Sequence, residues 1–244
     1  MVTVYNDMPC YYPQSVWYDG EVVSWKRILS TKAKIINLPC GKCRGCRLEY
    51  ARQWAIRCHH EASMHKQNCF LTLTFNNENL PKDGSLNVAT FQNFMKKVRN
   101  HTKLQNLRYF HCGEYGEKLG RPHYHVLLFG YDFPDKEKHK LSSKNYNLYT
   151  SKLLKKLWPY GWSYIGNVSF ESASYVARYI FKKTDDKNAI HKELNRNPEY
   201  CTMSRRPGIG QSWYEKWGWT SCHANDQIAI KRDNKMFFSK PPRS

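Results

Sequence analysis

The sequence predicts an α+β fold: a mainly antiparallel central sheet with flanking helices and a small Cys-rich element toward the N-terminus. Three observations predict it. Residues 69–75, Cys-Phe-Leu-Thr-Leu-Thr-Phe, fit a pleated surface. Residues 107–114 and 123–129 read as two strands, joined by a connector with two glycines and a proline that suits a hairpin. Helical segments fall between these strands without strict β-α alternation, which favours antiparallel pairing.

The elements follow in order. Residues 1–38 are aromatic-rich, with a strand-like stretch at 21–28. A helix over 47–66 is expected from Leu48, Ala51, Ala55, Cys58 and Ala62 on one face. Pro81 and Asp83-Gly84 make 76–84 a loop, and Phe91, Phe94, Met95 and Val98 make 88–99 an amphipathic helix. Residues 131–147 are polar and Lys-rich and read as a mobile loop. A short helix over 151–158 ends at Pro159, a strand spans 161–170, and helices follow at 171–183 and 187–195. A loop with Ser204-Arg-Arg-Pro-Gly-Ile-Gly210, a Trp-rich segment and a hairpin at 227–238 complete the chain. The expected division is an N-terminal segment 1–66, a core 67–200 and a basic, aromatic extension 201–244.

Composition narrows the function. Lys and Arg number 39 against 20 Asp and Glu, a formal net charge of +19, and mean hydropathy is −0.76. Such an excess calls for a polyanionic partner, and nucleic acid is the default because each neutralised phosphate releases a counterion. No apolar run is long enough for a membrane span, and the N-terminus lacks a secretory pattern. Nine cysteines, an odd number, argue against a disulfide framework and for a reducing cytoplasm.

His123 and His125 stand two apart on an expected strand, so both imidazoles face one side and Tyr124 the other. That spacing can hold one divalent metal, although two surface imidazoles would give the same pattern. Glu114, ending the partner strand, is the preferred carboxylate, with Glu117 in the turn as the weaker candidate. Two His and a carboxylate with open positions suit a hard or borderline ion that also binds a substrate oxygen.

Tyr175 and Tyr179 are four apart on an expected helix, about 6 Å apart at Cβ. Lys182 returns to within about 20° of Tyr175 around the axis. Packing would also explain such a pair. A phenol, with a pKa of about 10, is a poor nucleophile at neutral pH, but a metal-polarised phosphodiester lowers the barrier to its attack. A second pair, Tyr160 and Tyr164, spans Gly161 after Pro159, and packing accounts for it.

Cys40-x2-Cys43-x2-Cys46 places three thiols where a tetrahedral Zn2+ could be wrapped, one ligand short. Cys10 is the preferred fourth, with Cys58, His59 and His60 as alternatives, and free thiols are the competing reading. Such a zinc would be structural. Basic residues recur near the other motifs: Arg121, Arg178, Lys183, Arg205 and Arg206. Residues 136–156 add seven Lys against one Glu, a run suited to a DNA-facing loop, and nearby Tyr and Trp could stack on unpaired bases.

In order, Phe70-Leu-Thr-Leu-Thr-Phe75, Arg121-Pro-His-Tyr-His125 and Tyr175-Val-Ala-Arg-Tyr179 resemble the HUH superfamily of rolling-circle replication initiators, in its two-tyrosine class. The set is most similar to the initiators of gokushovirus-type microviruses. Leu38–Arg47, Trp54-Ala-Ile-Arg57 with His60-Glu61, and Arg206-Pro-Gly-Ile-Gly210 add to that likeness, which covers roughly 38–210. The resemblance implies an HUH endonuclease-like sheet carrying the His pair, with the tyrosine helix beside it. It implies Mg2+ or Mn2+ on His123 and His125, and nicking of single-stranded or origin DNA with Tyr175 or Tyr179 taking the 5′-phosphate. Lys182 would answer phosphate charge. A host DNA polymerase would extend the 3′-hydroxyl, a host helicase would separate strands because no G-x4-G-K-[ST] loop occurs, and the host bacterial cytoplasm would be the location. Two other readings stay open: an HUH transposase or mobilisation relaxase, and a non-catalytic zinc-stabilised nucleic-acid binding protein.

Overall fold

Near the N-terminus, short runs of aromatic and β-branched residues pair into a three-stranded antiparallel sheet. β1 (Gln14–Tyr18) is central, flanked by β2 (Val23–Ser24) and β3 (Lys34–Leu38). The strand expected at 21–28 shrinks to two residues. Asp19 accepts hydrogen bonds from the Glu21 and Val22 amides at 3.0 and 2.9 Å, so the chain turns there. The computed structural model describes residues 10–104, 106–117, 119–142, 145–178, 193–222, 227–232 and 235–242. It divides into two units, Met1–Tyr50 and Ala51–Ser244. Helix α1 (Arg44–Ser63) begins in the first and ends in the second.

The second unit is built on a seven-stranded sheet. In chain order its elements are β4 (Asn68–Thr74), α2 (Val88–Thr102), β5 (Arg108–Tyr115), β6 (Pro122–Phe129), β7 (Glu137–Leu141), β8 (Asn147–Thr150), α3 (Lys152–Leu157), β9 (Ser163–Gly166), α4 (Phe170–Arg178) and β10 (Tyr200–Met203). The strand order is β10-β5-β6-β4-β9-β8-β7, with every neighbour antiparallel. A helical turn, Gln211–Trp213, continues through a π-helical turn, Tyr214–Gly218, into Trp219–Cys222. A hairpin of β11 (Ile228–Arg232) and β12 (Lys235–Ser239) follows. No described helix is long and apolar enough to cross a membrane.

Two expectations are corrected. Residues 131–147 are not a loop throughout: β7 and the start of β8 lie in them and form the sheet edge. An edge strand with every residue exposed needs no apolar alternation, and its lysines deter pairing with another chain. Residues 200–203, where a loop is expected after the helix at 187–195, form β10 and pair with β5. The expected helix at 187–195 lies almost wholly outside the described residues.

Alternation in β4 divides the core. Cys69, Leu71 and Leu73 point to one face and pack with Phe91, Phe94, Met95 and Val98 of α2, Leu154 and Leu157 of α3, and Trp158. On the other face, Phe110, Cys112, Leu127 and Phe129 meet Ala51, Ala55 and Cys58 of α1 and Ala173, Val176 and Ala177 of α4. Small residues on both helices let their backbones approach the sheet. The entry to α4 is capped reciprocally: Ser172 N–H donates to Ser169 Oγ at 3.2 Å, and Ser169 N–H to Ser172 Oγ at 2.9 Å. Asn87 caps α2 by accepting from Ala89 N–H.

Tyr124, between the two histidines, is fully buried. Its Oη donates to Asn87 O at 3.0 Å and accepts from Asn87 N–H at 3.2 Å, tying β6 to the start of α2. Tyr124→Phe should strip both backbone groups of a buried partner and cost about 1–3 kcal/mol. Urea denaturation checks this; a loss under about 0.5 kcal/mol would show the tie to be dispensable.

Candidate active site

The register of three central strands builds the site. Glu114 of β5 lies opposite His123 of β6, and Cys112 opposite His125. On the far side of β6, Thr72 and Thr74 of β4 lie opposite His125 and His123. All six side chains therefore share one face, the face on which α4 packs. Above them, α4 projects Tyr175 toward the same carboxylate.

Glu114 is only 3% exposed. Its Oε1 receives three groups: His123 Nε2, His125 Nε2 at 2.9 Å and the Tyr175 hydroxyl at 2.9 Å. Its Oε2 is buried and makes no hydrogen bond among the described residues. Each imidazole is oriented from behind. His123 Nδ1 donates to the Arg121 carbonyl at 3.1 Å, and His125 Nδ1 lies 3.1 Å from Thr72 Oγ1. Phe70 stacks on the His125 ring at 5.5 Å, and the Tyr175 ring stands perpendicular to it at 5.1 Å.

Charge and burial compete here. Burial pushes the Glu114 carboxyl up, but His123 and His125 outweigh it and hold the group down at about 2. Burial pulls His123 down, yet the Glu114 carboxylate raises it overall. The Tyr175 phenol is pushed well above its ordinary value, by burial first and by the Glu114 charge second.

This donor set fits a divalent cation. The ligand atoms of Glu114, His123 and His125 lie within 4.8 Å of one another. Orienting bonds at Nδ1 direct both Nε2 atoms inward, as in metal-bound histidines. The unpartnered Glu114 Oε2 is the polar orphan that an ion would satisfy. Glu117 is exposed in the turn and stands outside this group.

A second cluster lies wholly in the first unit. The Sγ atoms of Cys10, Cys40, Cys43 and Cys46 are within 4.8 Å of one another. Cys40 and Cys46 are 4.0 Å apart and Cys43 and Cys10 are 3.9 Å apart, too far for disulfides, and all four are free thiols. Backbone amides already point at the sulfurs: Cys40 N–H at Cys10, Cys43 N–H at Cys40, and Cys46 and Tyr11 N–H at Cys43, at 3.3–3.4 Å. Such bonds favour thiolate and hold Cys43 at about 6, whereas burial drives Cys46 up to about 12. Four thiols with their amide donors in place suit a tetrahedral metal. Cys58 is instead buried in the main core, and His59 and His60 are not members of this cluster.

The other sequence-predicted residues are dispersed. Tyr179, Lys182 and Lys183 lie outside the described residues. Arg121 is engaged with Asn77 Oδ1 at 2.7 Å and Phe75 O at 3.0 Å, so it braces the loop after β4. Arg178 is exposed on α4. Arg205 and Arg206 are exposed on a loop at the opposite end of β5 from Glu114, about 20 Å away at ~3.3 Å per residue. Arg108 holds that loop, donating to the Pro207 and Gly208 carbonyls and pairing with Glu61, whose Oε2 accepts from Gly210 N–H at 2.8 Å. Gly210 has φ +79°, and a Cβ there would sit 2.9 Å from the Arg57 carbonyl. Two sequence motifs, 54–61 and 206–210, thus meet in one knot. Sequence reasoning missed Thr72 as an orienter of His125; the signal was its place in the alternation of β4.

The family model for replication-associated proteins of the ORF2 type matches residues 68–184, a span that contains Glu114, His123, His125 and Tyr175. The replication-associated protein VP4 of Bdellovibrio phage phiMH2K is 36% identical over 219 residues, covering 86% of this chain and 68% of that protein. The replication-associated protein ORF2 of Spiroplasma virus 4 is 33% identical over 242 residues, covering 92% and 74%. The replication-associated protein ORF4 of Chlamydia phage 1 is 32% identical over 153 residues, covering 60% and 38%. No solved structure matches the chain. With two relatives above 30% identity along most of its length, this chain belongs to the family of microvirus replication-associated proteins.

Proposed function

We propose that the chain is a site-specific endonuclease and strand transferase that nicks single-stranded or origin DNA through a phosphotyrosine intermediate, starting and ending rolling-circle replication. One observation carries this reading: the Tyr175 hydroxyl lies on the carboxylate that His123 and His125 share. Glu114, His123 and His125 would hold Mg2+ or Mn2+, which when bound polarises a phosphate oxygen and stabilises developing charge.

The chain's own residues account for the rest. Tyr175 is kept protonated by burial and by the Glu114 charge. Neutralising that charge is the condition for its oxygen to attack. As Oη bonds to phosphorus, the bond to the 3′-oxygen breaks. The phenol loses one proton and the departing oxygen gains one, so no water is consumed and the DNA end stays activated for rejoining. Tyr179 would supply a second phenol for the later cut, and Lys182 would answer phosphate charge. A host polymerase would extend the 3′-hydroxyl, a host helicase would open the duplex, and both would be met in the bacterial cytoplasm. A transposase or relaxase would share this chemistry and differ in substrate; the replication-associated names of the relatives favour replication. The cluster of Cys10, Cys40, Cys43 and Cys46 would hold Zn2+ in a structural role.

Incubated with single-stranded origin DNA and Mn2+, the protein should form an adduct that survives denaturant. Tyr175→Phe should cut its initial rate on the order of 10³-fold or more, the scale of losing a reacting group, and the Tyr175→Phe/Tyr179→Phe double variant should abolish it. Full adduct from the double variant would overturn the reading. His123→Ala with His125→Ala should remove metal-dependent nicking yet leave salt-sensitive DNA binding; retained nicking in Mn2+ would exclude this pair as ligands. Elemental analysis of the purified chain should find about one zinc per molecule, lost in Cys10→Ser. A zinc-free wild type, purified without chelator, would end the structural-zinc assignment.

A further inference from the structure

The catalytic face of the sheet continues past the histidines. Thr72 lies opposite His125 on one side and opposite Tyr164 of β9 on the other. One level along, Thr74 lies opposite His123, and its N–H donates to the Trp162 carbonyl at 2.9 Å, extending the ladder beyond β9. Ser163 and Ile165 are buried toward the opposite side. Trp162 and Tyr164 therefore point to the side that carries Glu114, His123 and His125. Two strand spacings, roughly 10 Å, separate His125 from Tyr164. Among the described residues of β4, Thr72 and Thr74, with small side chains, lie between.

Three features make this stretch more than an ordinary surface. Trp162 is 57% exposed although its carbonyl accepts from Thr74 of the central strand β4. Its backbone is fixed: a Cβ at Gly161 would come within 2.5 Å of Asn76 N and Thr74 O, so the chain is pressed against β4 there. The third feature is on the edge strand. The register of β7 on β8 slips between Lys138 and Lys140, which leaves His139 as an extra residue. His139 stacks on the Tyr164 ring at 5.7 Å, and Lys140 Nζ lies 5.1 Å from its centroid. The irregularity thus aims an imidazole and an ammonium at one aromatic ring on the catalytic face.

We infer that Trp162, Tyr164, His139 and Lys140 form a stacking track for the unpaired DNA that flanks the cut, running from the Glu114–His123–His125 cluster toward the β7 edge. The ligand class is single-stranded nucleic acid. The exposed Trp162 ring accepts any base, the half-buried Tyr164 ring with His139 and Lys140 against it offers what remains open, and adjacent cations meet the backbone phosphates. Duplex DNA, whose bases are already stacked on one another, cannot offer them to Trp162 or Tyr164. The inference rests on the reading of the chain as acting on DNA, but it concerns binding and needs no cleavage.

Binding of a fluorescein-labelled oligothymidylate of about 12 nucleotides, within the range of single-strand site sizes, is measured by anisotropy without added Mg2+ or Mn2+, beside a duplex of the same length. Trp162→Ala should weaken single-strand binding about 10-fold, and Tyr164→Ala about 5-fold, within the range for losing a stacked base. Trp162→Phe should retain most of the affinity. Lys140→Ala should lower the salt dependence of single-strand binding by about one ion. Duplex binding should change less than about 2-fold in each aromatic variant. Thermal melting identifies any variant that fails to fold, and Trp162→Phe then stands against Trp162→Leu, equally apolar but without the ring. Unchanged single-strand affinity in folded Trp162→Ala and Tyr164→Ala would overturn the inference, as would an equal loss for duplex. If the wild type forms its adduct while these variants bind normally, the track falls and the nicking reading stands. If no adduct forms but the loss is confined to single strands, the track stands and the nicking reading falls.

Discussion

One buried carboxylate organises the centre of this protein. Glu114 Oε1 is the shared acceptor for His123 and His125, both on β6, and for Tyr175 on α4. For the three to meet, β5 must pair with β6 so that Glu114 falls opposite His123. A slip of one residue would turn both imidazoles to the other face, where Leu71, Leu73 and the α2 side chains are packed. The apolar core therefore fixes the register, and the register fixes the site. Tyr124 is the pivot of this arrangement. Its ring and hydroxyl lock β6 onto α2 from below while its two neighbours face the cluster above.

The same logic explains how the site can be both rigid and approachable. β6 is buried on both faces from Tyr124 onward, which gives the histidines a firm base. Of β6 only His123 is part-exposed, and the hairpin turn and the loop after β4 lie at that end. Arg121 closes the gap between them by donating to Phe75 O and Asn77 Oδ1. A reading of Arg121 as a phosphate ligand must therefore allow for a guanidinium already occupied in holding the rim. The basic loop at Arg205 and Arg206 is anchored at the other end of β5 by Arg108 and Glu61, so these two charges stand away from the cluster.

The most periodic segments were legible in the sequence. β4, α2 and the β5–β6 pair follow directly from alternation or from i, i+3, i+4 spacing, because each packs a regularly spaced set of apolar residues into the core. The His123/His125 pair needed only the period of a strand. The choice of Glu114 over Glu117 depended on where the hairpin turns, and the backbone settles which of the two joins the histidines. Elements that one neighbour or water supports were hidden. β7 has an exposed face throughout, so its sequence obeys solubility and not a core, and the lysines that mark it suggest a loop as readily as an edge. β10 is four residues long and is specified by its pairing with β5, a contact about ninety residues distant in the chain. Thr72 looked like strand filler because a threonine carries no mark of the histidine it orients.

Burial of the cluster also bears on whether it is merely structural. A buried ion pair is weak evidence for stability, since apolar residues of similar volume often serve as well. Here the burden is greater than for an isolated pair. Glu114 Oε2 is desolvated without a partner, and the Tyr175 phenol is driven further from ionisation by the carboxylate it touches. An arrangement selected for packing would satisfy that oxygen or replace the carboxylate. A buried carboxylate oxygen without a described partner, on a group that two imidazoles and a phenol already share, suits a further ligand. The cysteine cluster follows the reverse logic. Its amides already stabilise thiolate at Cys43, its surroundings are largely open to water, and its effect would be to tie residue 10 to the turn at 40–46. One cluster is built into a packed core; the other would tie together a segment that has little core of its own.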